Sequence, residues 1–464
     1  MDDLHALSAV RLAGLMRSGE VSCREVVEAH LARIAAVDGH VHAITVTLAA
    51  DARAAADRAD ARRRSGAQLP ALHGVPFTVK ESLDCLGSPT TFGVRALADA
   101  LPHLDSPVVS RMKAAGAIPI ARTNLSELGL RLCADNPLRG RTLNPWNTRV
   151  TPGGSSGGDA VAVATGMTPL GIGSDLGGSL RVPASCCGVA TLKPTTGRVP
   201  HAASVPPLDM GMAGQAMMVL GPIARSVEDL RACLLAIAGR DVRDPRSVDV
   251  ALRGPAPDEL RVALVTELAG TRIPADAVAA VERAGALLAD AGWAVEHASP
   301  PEIVRAGEVW HKLVATDFSA VLPLVSPVIS PALFAYGMRM CESAKLHETS
   351  NNRLHEERSR LMRAWSGFLT EYPVTITPAL VGPPWPVDAD LEGDALARLL
   401  EATRFILPGS ALGLPVVGLP MGTSDGLPIG IQLHADLWRE DLCLDAAAIV
   451  ERGVGAARVV ELLG

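Results

Sequence analysis

The stretch from Gly153 to Ser179 constrains this chain more than any other. It opens on Gly-Gly-Ser-Ser-Gly-Gly-Asp, passes through Ala-Val-Ala-Val-Ala-Thr and Gly-Met-Thr-Pro-Leu-Gly-Ile-Gly-Ser-Asp, and closes on Leu-Gly-Gly-Ser. Two glycine-bracketed serine turns thus flank one short helical run and one short strand. Glycine lets a backbone take positive φ or approach another group closely. A serine hydroxyl can donate, accept or attack. Two such turns joined by a compact helix–strand unit bring two hydroxyls together, an arrangement that suits catalysis better than packing.

The rest of the composition narrows the partners. The chain has 464 residues, 48% hydrophobic and 20% charged, enough for a large core. Aromatics are only 3%, so that core must be built from Ala, Leu, Val and Ile. Net charge is −7 and the densest basic run, Arg62-Arg63-Arg64, reads as a solvated helix face, so neither nucleic acid nor an anionic membrane is an expected partner. None of the eight cysteines (Cys23, Cys85, Cys133, Cys186, Cys187, Cys233, Cys341 and Cys443) forms a Cys-x-x-Cys pair, which argues against a zinc site. The start, Met-Asp-Asp-Leu-His, lacks the basic and apolar regions of a secretory signal, and a reduced cytoplasm is the expected location. Phe318 to Met338 carries no charge but contains Pro323, Pro327 and Pro331, which predicts helix pieces or a pocket lining rather than a membrane span. Only five of the 43 basic residues are lysines: Lys80, Lys113, Lys193, Lys312 and Lys345. A lysine in an apolar segment then stands out, because lysine can lose its proton and arginine effectively cannot.

Periodicity places the motifs. Ser22-x-x-Glu25 is a capping box, followed by Val27, Leu31 and Ile34 at helical spacing. Leu48 to Arg64 reads as a helix, Leu72 to Lys80 as turn then strand, Val108 to Ala115 as a helix and Ala117 to Ala121 as a strand, with Asn124 placed to cap a following helix. Ser156 with Asp159 is expected to cap a helix over Ala160 to Thr165, and Thr168 to Ser174 reads as a strand. Asp241 to Glu259 reads as an exposed linker. Strands at Arg261 to Val265, Val374 to Pro378, Val416 to Pro420 and Ile429 to His434 follow, with helices over Ala275 to Ala291 and Asp441 to Glu451. The alternation predicts an α/β fold: one large α/β/α domain over 1–464 with a mixed, largely parallel central sheet covered by helices on both faces. Its catalytic core spans about 65–240 and a helical elaboration about 300–371.

Lys80, Ser155 and Ser179 are the candidates for chemistry. Here the chain resembles the amidase signature family, serine hydrolases with a Ser–cis-Ser–Lys triad. The resemblance is carried by Gly74 to Lys80, Ala114 to Ala117 with Arg122-Thr123-Asn124, Asn144 to Asn147, and above all Thr151 to Ser179 continued by Arg181-Val182-Pro183-Ala184. It continues through Leu192 to Thr195 with Gly197-Arg198, and Gly221-Pro222 with Ala224-Arg225, and it returns at 405–451. It implies that Ser179 is the nucleophile, Ser155 the bridging serine after a cis Gly154–Ser155 peptide, and Lys80 the base. It further implies an oxyanion hole from the N–H groups of Leu176, Gly177, Gly178 and Ser179, with no metal and no cofactor.

The residues support this independently. A serine hydroxyl is a weak nucleophile until a base takes its proton. Lysine is a base only when neutral, so working near pH 7 asks its pKa to fall from ~10.4, a cost of about 4 kcal/mol, and desolvation is the obvious cause. Lys80 ends an apolar run, and strand alternation turns Glu81 to the other face. Asp175 and Arg181 are spaced to pair and brace the nucleophile turn, Ser156 suits a helix cap, Lys193 reads as structural, and Cys186 and Cys187 read as buried packing residues. The bland readings are a plain Gly-Gly-Ser turn at Ser179, a helix cap at Ser155 and a surface strand end at Lys80. Gly153-x-Ser155-x-Gly157 also matches a nucleophile elbow, but two prolines precede it where a strand is needed, and no Lys-Ser/Thr follows to make a phosphate loop.

Several positions depart from the family pattern. Cys186 stands where an aromatic is common, which would widen the pocket. Ala121-Arg122 replaces a frequent Gly-Lys, and Gly409-Ser410-Ala411-Leu412 replaces an asparagine-containing phrase. Val182 stands where amidotransferase members tend to carry Gln. The expected activity is hydrolysis of a small-molecule amide through an acyl-enzyme. The alternatives are an amidotransferase subunit, an acyl transferase or esterase on the same triad, and a catalytically silent binding protein; a homodimer is compatible with each. Segment 300–371 and the Pro378 to Pro386 stretch are expected to shape the acyl pocket, with Trp310, Phe318, Phe334 and Met338 as linings.

Overall fold

The computed structural model describes residues 4–205 and 209–462. Its local structure follows the patterned signals closely. Ser22 accepts from the Glu25 N–H while Glu25 accepts from the Ser22 N–H, closing the capping box of helix Cys23–Val41. That helix buries Val26, Val27, Leu31, Ile34 and Val37, the apolar stripe of a 3.6-residue period.

Eleven strands form one sheet in the order Ile44–Thr47, Ile118–Thr123, Pro76–Lys80, Leu170–Asp175, Val219–Ala224, Ala190–Lys193, Val416–Ser424, Leu427–His434, Val374–Pro378, Arg261–Leu264 and Ala294–His297. The sheet is mixed and covered by helices on both faces. The expected parallel pairing holds in two blocks. Pro76–Lys80 runs parallel to Ile118–Thr123 and to Leu170–Asp175, and Arg261–Leu264 runs parallel to Ala294–His297 and to Val374–Pro378. Between and beside these blocks the pairing is antiparallel. Connection length is the reason at Val416–Ser424 and Leu427–His434: they are joined by Asp425-Gly426, both at positive φ, a two-residue hairpin turn that permits only an antiparallel return.

The main core gathers around the sheet and is built from Ala, Val, Leu and Ile, as the aromatic-poor composition requires. A second cluster contains Trp310, Tyr336, Trp365 and Phe405 and lies under helices Ile303–Val325, Pro331–Ser343 and Asn351–Glu371. These three helices occupy the segment read as a helical elaboration. Among the described residues no helix is long and apolar enough to cross a membrane. The uncharged stretch from Phe318 to Met338 is divided between the first two of them, with Pro331 at the start of the second.

One local expectation fails for a hydrogen-bonding reason. No α-helix follows Asn124. Its side-chain oxygen instead accepts from the Leu125 N–H and from Asn136, and only a single helical turn, Glu127–Gly129, comes after. Segment 241–259 has no regular element and is mostly exposed, as the sequence suggests, with anchors where Arg198 donates to Val250 O at 2.6 Å and where Asp244 and Ser247 are buried.

Candidate active site

Lys80 is the last residue of strand Pro76–Lys80, and its side chain is fully buried. Its Nζ lies 2.6 Å from Ser155 Oγ, 2.9 Å from Ser156 Oγ and 3.0 Å from Ser174 Oγ. Three hydroxyls around one amine satisfy either charge state. An ammonium donates to all three, whereas a neutral amine donates to two and accepts from the third. Burial pulls the Lys80 amine below the ordinary lysine value, against the opposing charges of Asp159 and Asp175. Burial likewise pushes the Asp159 carboxyl up, while hydrogen bonds from Thr123 (2.8 Å) and Thr78 (3.4 Å) oppose it.

The first serine turn presents these hydroxyls as the glycine pattern suggested. The Gly154–Ser155 peptide is cis. A Cβ on Gly154 would stand 2.4 Å from the backbone nitrogen of Cys133, so only glycine fits there. Ser156 occupies the first position before helix Gly157–Ala164, but its side chain makes no cap hydrogen bond. The expected cap is therefore absent, because that hydroxyl is taken by Lys80 and by Ser174 O at 3.3 Å. Asp159 does not cap either: the Ser156 N–H donates to Ser179 O, and Asp159 Oδ1 serves Thr78 and Thr123. Ser174, which sequence reasoning missed, is the third hydroxyl on Lys80. Its only signal is its place in strand Leu170–Asp175, which runs beside Pro76–Lys80.

The second turn carries Ser179, which is 7% exposed and lines a small cavity. The Ser156 N–H donates to Ser179 O at 3.2 Å, which ties the two turns together through backbone. Among the described residues no hydrogen bond joins the Ser155 and Ser179 hydroxyls. Asp175 braces the turn from behind: it accepts from the Gly178 N–H at 2.8 Å, the Leu180 N–H at 3.2 Å, and Arg181 through Nε and Nη2, each at 3.0 Å. Burial alone would push the Asp175 carboxyl up, but the Arg181 charge and these bonds hold it down at about 2. Arg181 also donates to Ile406 O, Gln432 and Ser410. Ser410 belongs to the phrase that departs from the family pattern, and here it completes the brace.

The brace also engages one of the four N–H groups expected at the oxyanion hole, since Gly178 donates to Asp175. Among the described residues the N–H groups of Leu176, Gly177 and Ser179 have no acceptor, so three of the four expected donors are free.

The cavity beside Ser179 is walled by Gly129, Leu132, Leu176, Trp310, Phe318, Tyr336, Met340 and Leu399 among others. Trp310 and Phe318 line it as expected. Phe334 and Met338 do not, being 37% and 40% exposed. On helix Pro331–Ser343 the buried face is Leu333, Tyr336, Gly337 and Met340, and the helical period turns 334 and 338 outward. The Pro378 to Pro386 stretch does not reach the cavity either, because Leu380 and Trp385 pack with Val182, Cys186 and Ile406. Cys186 therefore fills an apolar cluster and does not widen the pocket. Cys187 is buried, as expected, with its Sγ 3.4 Å from Pro152 O. Arg122, the other departure, is buried and donates to the carbonyls of Val79, Lys80, Leu83, Ser88 and Pro89, which fixes the backbone that carries Lys80.

A buried lysine ringed by serines, beside a glycine-rich turn with free N–H donors, is the set of groups a serine hydrolase needs when lysine stands in place of histidine. A family model described as Amidase matches residues 25–444, and the chain belongs to that family. It is 38% identical to an indoleacetamide hydrolase of Bradyrhizobium diazoefficiens over 97% of this chain and 86% of that protein. It is 34% identical to a glutamyl-tRNA(Gln) amidotransferase subunit from Synechococcus sp. (strain CC9311), over 93% of this chain and 94% of that one. Among solved structures, a 6-aminohexanoate cyclic dimer hydrolase complexed with substrate superposes with a TM-score of 0.85 at 27% identity, covering 100% of both chains.

Proposed function

We propose that this chain hydrolyses a carboxylic amide through an acyl-enzyme on Ser179. The observation that carries the reading is the fully buried Lys80 amine, 2.6 Å from Ser155 Oγ. Neutral Lys80 takes the Ser155 hydroxyl proton as Ser155 takes that of Ser179, and Ser179 Oγ bonds to the amide carbon. The carbonyl oxygen becomes an oxyanion held by the N–H groups of Leu176, Gly177 and Ser179. When the tetrahedral species collapses, the C–N bond breaks and the amine leaves with the proton returned from Lys80 through Ser155. Water then adds to the acyl group by the same relay and releases the acid.

The apolar wall of Trp310, Phe318, Val314 and Leu399 suits a flat apolar acyl group. The similarity to a protein named indoleacetamide hydrolase supports a primary amide of that kind, with ammonia as the leaving group. Ammonia release from indole-3-acetamide, benzamide and aliphatic amides tests this. We expect turnover of the aryl amides and its loss, by about 10⁴-fold or more, in Ser179→Ala. Undiminished turnover in that variant would overturn the assignment.

The similarity to glutamyl-tRNA(Gln) amidotransferase subunits favours a second reading, delivery of ammonia to another acyl acceptor. Val182 speaks against it, because the position is sealed among Cys186, Leu380 and Ile406 and leaves no polar opening for the Gln those members tend to carry. Co-purification of a smaller partner protein would revive it.

A further inference from the structure

We infer that Trp310 is a positioning residue for the oxyanion site: its indole N–H holds the Leu176–Gly177 peptide so that the Gly177 N–H faces the carbonyl attacked by Ser179. The inference rests on the acyl-enzyme reading above. Trp310 is buried in helix Ile303–Val325, and its Nε1 donates to Leu176 O at 2.8 Å. A trans peptide is planar, with C=O and N–H pointing in opposite directions. Among the described residues the one cis bond is Gly154–Ser155, so fixing the Leu176 oxygen on the indole aims the Gly177 N–H the other way. A carbonyl that accepts a hydrogen bond also polarises its own peptide and strengthens the N–H as a donor.

The turn needs such a clamp. Gly177 and Gly178 are adjacent, and glycine has the widest backbone freedom of any residue. Asp175 fixes one side through the Gly178 N–H. Trp310 fixes the other side, and its ring lies against Gly177: a Cβ there would stand 2.2 Å from the ring. The free Gly177 N–H is thus held between a carboxylate and an indole. Both Gly177 and Trp310 line the cavity that holds Ser179, so the same side chain touches the acyl pocket and the peptide that stabilises the oxyanion.

A pocket-wall role would depend on the shape of the ring, whereas a positioning role depends on its N–H. Site-specific replacement of Trp310 by β-(3-benzothienyl)alanine keeps the bicyclic shape and puts sulfur where the N–H was. With an amide whose acylation limits turnover, kcat should fall about tenfold, below the ~10²–10³ expected for deleting a donor outright. KM should stay within twofold, the rate of Ser179 labelling by a fluorophosphonate should fall in parallel, and the pH profile should not move. Trp310→Phe should lose at least as much. Should that variant prove unstable, the isostere alone decides. An isostere with wild-type kcat, or with its loss confined to KM, overturns the inference. Absence of fluorophosphonate labelling at Ser179 in the wild type would instead overturn the acyl-enzyme reading.

Discussion

Strands Pro76–Lys80 and Ala190–Lys193 each end in a fully buried lysine, and burial pulls both amines below the ordinary lysine value, Lys193 to about 7. Their surroundings differ. Lys80 reaches three serine hydroxyls, whereas Lys193 donates to one carbonyl, Pro194 O, at 3.0 Å. A depressed pKa is therefore not a catalytic signature by itself. Desolvation makes either lysine available as a base, and only a neighbouring hydroxyl with a path to a nucleophile gives that base something to do. For Lys193 the Arg181 charge adds to burial in favouring the neutral amine, against the charges of Asp175 and Glu440.

The largest test sets the two lysines against each other. Lys80→Met should lower kcat about 10⁴-fold, while Lys193→Met should hold it within tenfold. Equal losses would dissolve the distinction. Next comes the brace between them. Asp175→Asn leaves the buried Arg181 without its charge partner and should cost about 3–5 kcal/mol in urea unfolding, with about a 10²-fold fall in kcat as the Gly178 peptide loosens.

The pH dependence gives a smaller but more pointed effect. In the proposed mechanism the base is the neutral amine, so kcat/KM should fall as pH drops through the Lys80 titration, about tenfold per pH unit, and level off above it. The Asp159 charge favours the ammonium form. Asp159→Asn should therefore move the acid limb to lower pH, and a shift to higher pH would contradict the assignment. Stability separates the second lysine. Lys193 is neutral in the fold above about 7 but stays protonated in the unfolded chain up to ~10.4, so the unfolded state binds the extra proton. Its contribution therefore makes stability rise with pH across that window. Lys193→Met should flatten this rise, as followed by chemical denaturation at several pH values. The smallest effect lies at the cavity: Phe334→Ala should leave KM within twofold, whereas Tyr336→Ala, on the buried face of the same helix, should raise it several-fold.

Legibility follows the range of the interaction. The capping box at Ser22 and Glu25 and strand Val374–Pro378 can be read directly, because caps and periodicity are local. Lys80, Ser155 and Ser179 can be picked out because glycine bracketing and the scarcity of lysine mark them in the chain itself. Ser156 misleads: a serine before a helix caps it by default, and only the approach of Lys80 from 76 residues away redirects that hydroxyl. The partner of the Gly178 N–H is equally illegible, since nothing in Leu-Gly-Gly-Ser tells which N–H the Asp175 carboxylate will take. Composition points to Phe334 and Met338, but the register of the helix decides which residues face the cavity.

What the sequence by itself determined was the chemical inventory and its local geometry: the two glycine-bracketed turns, their hydroxyls, a lysine at the end of an apolar run, and the acid–arginine pair beside Ser179. These are carried by residues close in the chain or by backbone freedoms that only glycine has. The tertiary structure decided which of those groups are spent and which stay free. It surrounded one buried lysine with hydroxyls and the other with a single carbonyl, and it turned Ser156 and Ser174 toward the first. It also brought Trp310 from the helical segment onto the Leu176 carbonyl, 134 residues away. A hydrogen bond belongs to whichever partner the folded chain brings within reach, and for contacts this distant in sequence the packing of helices and strands makes that choice.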